Sequence, residues 1–306
     1  MSMPKCLEDK VVAITGGGRG IGREIALLCA HEGAAVIVND FGSSLNGDGQ
    51  DAGPASEVVA EIEALGGHAY PNTANVADSE DAASIISDAK EQFGRIDIVI
   101  NNAGISRDAI FHKMGVDDWQ AVIDVHLTGT YNVSRAAAPH FREQRSGSLV
   151  HMTSTSALIG NVGQANYSAA KFGIIGLSNS IALDMARYGI RSNCIAPFAW
   201  SRMTDSIPVN SPEAKTRVER LKTMTAEKIA PMVVYLGSDL SAEVSGQIFC
   251  IRKNEIFLFT MPQPVRSMHR ENGWTVHSIA SDMKPAFENN FDPLQVSADV
   301  FPWDPI

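Results

Sequence analysis

Short apolar runs alternate with amphipathic stretches over residues 10–251, and this alternation constrains the fold more than any other property of the chain. The spacing predicts strands over 10–15, 34–39, 68–73, 96–101, 148–152, 190–196 and 247–251. Between them lie helical patterns at 20–31, where Ile21, Ile25 and Leu28 share a face, at 79–93 and at 164–188. A chain that repeats strand, helix, strand in this way is expected to bury a parallel sheet under helices on both faces, an α/β fold. A long helix is expected from 116 toward 141, its regular part stopping before Pro139, because proline disfavours a helical residue ahead of it. Residues 226–236 read as helix and 197–225 as irregular. The loop over 41–53 is glycine-rich and longer than most connections, which marks a functional or mobile segment.

The alternation stops near Arg252. Residues 252–306 carry Phe257, Phe259, Trp274, Phe287, Phe291, Phe301 and Trp303, too many aromatics for a disordered tail. The expected division is a sheet domain over 1–251 and an extension over 252–306 packed on it or on a neighbouring subunit. With 306 residues, 44% of them hydrophobic, the chain can fill one large core plus that extension. A net charge of −10 argues against nucleic acid or an anionic membrane as the main partner. No apolar run approaches the roughly 18–20 residues that span a bilayer. The first residues lack the apolar stretch of a secretory signal. Cys6, Cys29, Cys194 and Cys250 are scattered, without metal-ligand spacing. The expectation is a cytoplasmic protein with reduced thiols and no metal.

Two motifs carry the chemistry. Thr15-Gly16-Gly17-Gly18-Arg19-Gly20-Ile21-Gly22 follows a strand and opens a helix. Glycines there let the backbone approach a pyrophosphate, and the helix N-terminus offers N–H donors and a positive dipole. Asp40 ends the second strand, where a carboxylate can accept both adenosine ribose hydroxyls and repel a 2′-phosphate. That favours NAD; Arg19 points the other way, toward NADP. Asn101-Asn102-Ala103-Gly104 closes another strand at the same sheet edge, where open α/β sheets bind ligands.

The second motif is Tyr167 and Lys171, four residues apart on one helix face, with Ser154 upstream. A tyrosine working as a base near neutrality needs its pKa lowered by roughly 2–3, about 3–4 kcal/mol. A lysine charge about 4 Å away supplies on the order of 4 kcal/mol at an effective dielectric near 20. Ser154 can then hydrogen-bond the substrate oxygen.

At these residues the chain resembles the short-chain dehydrogenase/reductase family. The resemblance implies a single Rossmann-type, doubly wound parallel sheet of about seven strands. It also implies Tyr167 as acid/base, Lys171 on the nicotinamide ribose and Ser154 orienting the substrate. Gly16, Arg19, Gly20, Ile21, Gly22, Asp40, Asn75, Val76, Asn102, Ala103, Gly104 and Pro197 fall at the cofactor-binding positions. Three positions depart from the family pattern: His126 stands for a catalytic asparagine, Phe198 for a glycine after Pro197, and Asn75 for an aspartate near the adenine.

The resemblance is nearer to the subgroup containing the (3R)-hydroxyacyl-CoA dehydrogenase part of the peroxisomal multifunctional enzyme type 2 and its bacterial relatives. That subgroup also carries histidine in the Val125-His126-Leu127 segment. It implies NAD-dependent interconversion of a secondary alcohol and a ketone, with a (3R)-hydroxyacyl-CoA as substrate, including bulky or steroid-derived acyl chains. It also implies a homodimer or homotetramer. The alternatives are a free sterol or terpenoid alcohol, or a nucleotide-binding scaffold without catalysis. Phe198, Trp200, Met203 and Met224 are candidates for an apolar substrate pocket. Arg107, Lys113, Arg202, Arg252, Lys253, Arg266 and Arg270 are candidate partners for the coenzyme A phosphates.

Overall fold

The computed structural model describes residues 5–199 and 211–306. Strands β1 (Val11–Thr15), β2 (Ala35–Asn39), β3 (His68–Asn72), β4 (Ile98–Asn101), β5 (Gly147–Met152), β6 (Ile190–Phe198) and β7 (Ile248–Arg252) form the expected parallel set. The order β3-β2-β1-β4-β5-β6-β7 reverses direction between β1 and β4. At such a switch point the flanking loops leave the sheet in opposite directions and open a crevice at its carboxyl edge.

The sheet has one strand more than seven. β8 (Glu255–Phe259) pairs antiparallel with β7, Ile251 opposite Ile256 and Arg252 opposite Glu255. Lys253, at φ 58°, makes the tight turn between them. The alternation was expected to end with β7, because an antiparallel edge strand needs no intervening helix to announce it.

Period-two alternation sends successive β1 side chains to opposite layers. Val12 and Ile14 face a core shared with α1 (Gly20–His31), α2 (Gly53–Ala64) and α9 (Ala230–Gly237). Val11 and Ala13 face a second core with α3 (Ser79–Phe93) and α5 (Gly129–Gln144).

The helix expected from 116 is divided. α4 (Val116–Ile123) passes through a π turn, Asp124–Thr128, into α5. Contrary to expectation, α5 runs through Pro139 to Gln144. Pro139 is exposed, so the carbonyl it leaves unpaired faces water, while Val133, Ala137 and Phe141 stay buried on the other side. α6 (Thr155–Leu158) is a single turn, and α7 (Ala165–Met185) carries the tyrosine and lysine. Within the stretch expected to be irregular, Pro212–Leu221 forms α8. Trp200, Arg202 and Met203 lie outside the described residues. The extension continues through α10 (Val276–Ser278), α11 (Lys284–Phe287) and α12 (Ser297–Val300). No helix among the described residues is long and apolar enough to cross a membrane.

Candidate active site

A cavity of about 600 Å³ opens at the carboxyl edge of the sheet across the β1/β4 switch point. Gly16, Arg19, Gly20 and Ile21 line it from the first turn, and Asp40 from the end of β2. Asn75, Val76, Asn102, Ala103 and Gly104 line its other wall. His126, Tyr167, Lys171 and Pro197 close the far end. Gly22 lies behind the turn and Ser154 beside Tyr167, so the catalytic and cofactor candidates lie around one site, whereas Lys113, Phe198, Met224, Arg252, Lys253, Arg266 and Arg270 do not line it.

The glycine turn is shaped by what it cannot hold. A Cβ on Gly22 would fall 2.0 Å from the Gly16 carbonyl oxygen, and one on Gly18 2.8 Å from Asp40 Oδ2. The Gly18 N–H donates to Asp40 Oδ2 (2.9 Å) and the Gly42 N–H to Oδ1 (2.8 Å). Asp40 therefore holds the turn and the next loop at fixed distance. Arg19 points to that loop, donating to the Ser43 carbonyl at 3.3 Å.

Hydrogen bonds between distant segments hold the rest. Thr15 Oγ1 accepts the N–H groups of Asn102 and Ala103, and Asn102 Nδ2 donates back to Thr15 O and Gly16 O. Strands β1 and β4 are thereby stitched at the switch point. Asn132 Nδ2 donates to Val76 O at 2.9 Å. The glycine-rich loop folds over the cavity: Leu45 O accepts the Ser106 N–H, and Arg107 Nε donates to Asn46 O. Single polar residues such as these carry no periodic signal; their partners lie 50 or more residues away in sequence.

Asn166 is fully buried at the start of α7. Its Nδ2 donates to the carbonyls of Arg107 and Asp118, and its Oδ1 accepts the Tyr167 N–H. Tyr167 also shares a hydrogen bond with Ser154, which caps α6 by accepting the Ser156 N–H. Lys171 is buried, donates from Nζ to Met152 O at 2.7 Å, and lies 5.6 Å from the centre of the Tyr167 ring. Thr153 Oγ1 ties the Lys171 carbonyl to β5.

The electrostatics differ from the expectation that the lysine simply lowers the tyrosine. Burial pushes the Tyr167 phenol above its ordinary value; the Ser154 hydrogen bond opposes this and the Asp108 charge adds to it. Burial pushes Lys171 down to about 7. The low-dielectric setting favours the neutral form of each. Charge on either group is therefore harder to hold here than in water.

His126 lies in the π turn, its ring edge-on to Tyr167 with centroids 5.2 Å apart. Its Nε2 meets both the N–H and the carbonyl of Ile105, and Nδ1 has no partner among the described residues. Burial, then the Lys171 charge, pushes its pKa down to about 3. A Cβ on Gly104 would reach within 2.4 Å of the His126 ring, so the glycine and histidine fit as a pair.

The comparisons with known proteins agree with this geometry. Residues 10–208 match the short chain dehydrogenase family. A short-chain type dehydrogenase/reductase of Mycobacterium tuberculosis is 49% identical over 237 residues, 78% of this chain and 80% of that protein. The peroxisomal multifunctional enzyme type 2 of Mus musculus is 43% identical over 249 residues. The match covers 81% of this chain but only 32% of that enzyme. A crystal structure of a short chain dehydrogenase from Mycobacterium avium superposes with a TM-score of 0.82 at 35% identity, covering 94% of this chain and 98% of that one. The chain belongs to the short-chain dehydrogenase/reductase family and is an oxidoreductase of the NAD(P)-using kind.

Proposed function

We propose that the protein oxidises a secondary alcohol to a ketone with NAD, and that the alcohol is a (3R)-hydroxyacyl-CoA. The observation that carries the reading is the meeting of Tyr167, with Ser154 beside it, and Lys171 with the glycine turn and Asp40 around one cavity. The turn suits a dinucleotide, because Gly20 opens onto the cavity with no protein atom within 4 Å of where a Cβ would stand, while Gly18 and Gly22 are packed too closely to carry one. Gly16, Gly20, Ile21 and Gly22 would hold the pyrophosphate, Asp40 the adenosine ribose, and Asn75 and Val76 the adenine side. Asn102, Ala103, Gly104, Lys171 and Pro197 would hold the nicotinamide end. The bound dinucleotide supplies the carbon that accepts a hydride.

Tyr167 takes the hydroxyl proton at Oη while Ser154 holds the same oxygen by a hydrogen bond. Lys171, in its charged form, stabilises the phenolate that this role requires. His126 is held neutral at working pH and serves the proton path without being its primary base. Asp40 supports NAD over NADP, since it lines the cavity at the end of β2, where a 2′-phosphate would meet its negative charge.

The similarity to the dehydrogenase-containing multifunctional enzyme supports an acyl-CoA substrate. Local charge supports it less than the sequence expectation implied. Arg107 faces the cavity but pairs with Asp48 and Asp118. Arg252 pairs with Glu255, and Arg270 with Asp282. Lys113 is exposed. Tyr131, Phe172 and Leu183 leave apolar surface on α5 and α7, which fits a homodimer or homotetramer.

The test compares NADH formation from (3R)-hydroxyacyl-CoAs, the matching free acids and simple sterols at low and high salt. The thioesters should have the highest kcat/KM. Preferred oxidation of free sterols would discard the acyl-CoA reading and keep the oxidoreductase.

A further inference from the structure

The last residues of the chain return to the substrate end of the site. Ser297 Oγ donates to Thr155 Oγ1 at 2.9 Å, and Thr155 follows Ser154 directly. The Gln295 carbonyl lies where a Cβ on Gly160 would come within 3.0 Å, so chain and turn touch backbone to backbone. Phe301 is 8% exposed and forms a cluster with Ala196 and Cys250, against which Leu158 at the end of α6 and the adjoining Ile159 pack. It meets Phe198 edge-on at 5.3 Å, and Phe198 follows the cavity-lining Pro197.

The segment is anchored, not merely laid down. Arg252 is 5% exposed, pairs with Glu255 at 3.1 Å and stacks its guanidinium on Phe301 and Trp303. It also donates to the Trp303 carbonyl. Glu255 accepts Trp303 Nε1 at 2.7 Å, and the Asn254 N–H donates to Ile306 O at 3.0 Å. Asp304 pairs with Arg220 of α8, which joins the tail to the helix following β6. Because β8 turns back along β7, the tail begins and ends beside one buried ion pair.

We propose that residues 295–303 form a wall of the substrate side of the site. Phe301, with Phe198, limits the size of the apolar group admitted beyond the reacting carbon. Ser297 is a positioning residue that holds the α6 turn and thereby Ser154. This rests on the reading that Ser154 and Tyr167 grip the substrate oxygen. With the dinucleotide cradle on the far side of that pair, the rest of the substrate leaves toward α6 and the end of β6, where the tail stands. An aromatic wall discriminates by size, since each misfit methylene in an apolar pocket changes kcat/KM by roughly 10-fold or more.

The experiment measures kcat and KM for short and long 3-hydroxyacyl-CoAs in the wild type, Phe301→Ala, Phe301→Leu, Ser297→Ala and Ser297→Thr, with thermal midpoints alongside. Phe301→Ala should raise the long-over-short ratio of kcat/KM by roughly 10-fold. Phe301→Leu should shift it the same way by less, and the KM for NAD should stay within about twofold in both. Ser297→Ala should lower kcat by roughly 2–10-fold, the worth of one hydrogen bond, and Ser297→Thr should restore it. A uniform loss across chain lengths in both Phe301 variants, or equal kcat in the two Ser297 variants, overturns the proposal. If the wild type oxidises no thioester, the acyl-CoA reading fails separately, and the same ratios on secondary alcohols of graded size decide the role of the tail.

Discussion

Around Gly22 the chain closes on itself by having no side chains; around Phe301 it closes by having large ones. At the turn, a single added carbon would overlap the Gly16 carbonyl at 2.0 Å. At the tail, Phe301 and Trp303 meet Phe198 of β6 and Phe257 of β8 edge-on or tilted at 5.1–6.1 Å, with the buried Arg252 over Phe301 and Trp303. The first arrangement sets backbone where side chains would otherwise stand and tolerates little variation. The second fills space with polarisable surface and can exchange one shape for another of similar volume. On the function proposed above, the first region suits a constant ligand and the second a variable one.

The largest effect should come from the boundary between the two regions. Tyr167→Phe removes one oxygen and should lower turnover by roughly 10³-fold. NADH affinity, followed by fluorescence titration, should change only a few-fold. Activity near the wild-type level would dissolve the division, because no proton carrier would then separate the two ends. Next comes the turn itself. Overpacking costs about 1–3 kcal/mol, so Gly22→Ala should weaken NADH binding by roughly 10–100-fold. Gly20→Ala meets no protein atom within 4 Å, so apart from the strain of its φ of 52° its loss of NADH binding reports the methyl standing in the cavity. If Gly20→Ala binds NADH as the wild type does, the pyrophosphate is not held at Gly20.

Asp40→Ser should raise the NADP-over-NAD ratio of kcat/KM by roughly 10-fold, the scale of one charge-assisted contact. A wild type that already prefers NADP would mean that Arg19 governs this end.

Lys171 offers a test that needs no substrate. Its folded-state pKa of about 7 lies below the ordinary 10.5, so between those values the unfolded chain binds more protons than the native protein. Stability contributed at this site should rise with pH across that window. Wild-type melting temperature should gain on that of Lys171→Met from about pH 7 to about pH 10; parallel curves would show that the buried amine keeps its charge.

The smallest effect is expected at His126. His126→Asn should retain activity within a few-fold. Since the imidazole gains its proton only near pH 3, the wild-type pH–rate profile should show no break near 6 that the variant lacks. Loss on the scale of Tyr167→Phe would assign the histidine a direct part in the chemistry.

The turn was legible in the sequence because glycine spacing between a strand and a helix reports backbone geometry directly. The same holds for Tyr167 and Lys171, whose separation is one helical turn. Asn166 and Thr15 were not legible in their roles: each works through carbonyls or N–H groups supplied by distant segments. The eighth strand and the course of the tail were hidden for a related reason. Aromatic packing around Arg252 depends on which residues meet across a hairpin and not on any period along the chain. Pro139 misled because its exposure, which makes it harmless in α5, is a property of the fold.

The π turn at 124–128 has one more consequence. An α-helix advances about 100° per residue, and a π turn lodges one extra residue without adding a separate element. It therefore works as a phase shifter on a single rod. Ahead of it, Val122 is buried with Ile105 and Ala170 near the catalytic helix; beyond it, Val133, Ala137 and Phe141 are buried against α3 and the sheet. His126 stands at the join. Taking one residue out of this turn would leave the rod almost as long but rotate one half against the other. Either the imidazole would leave the cavity or the core stripe would face water. Helical phase, as much as side-chain identity, is what this stretch of sequence encodes.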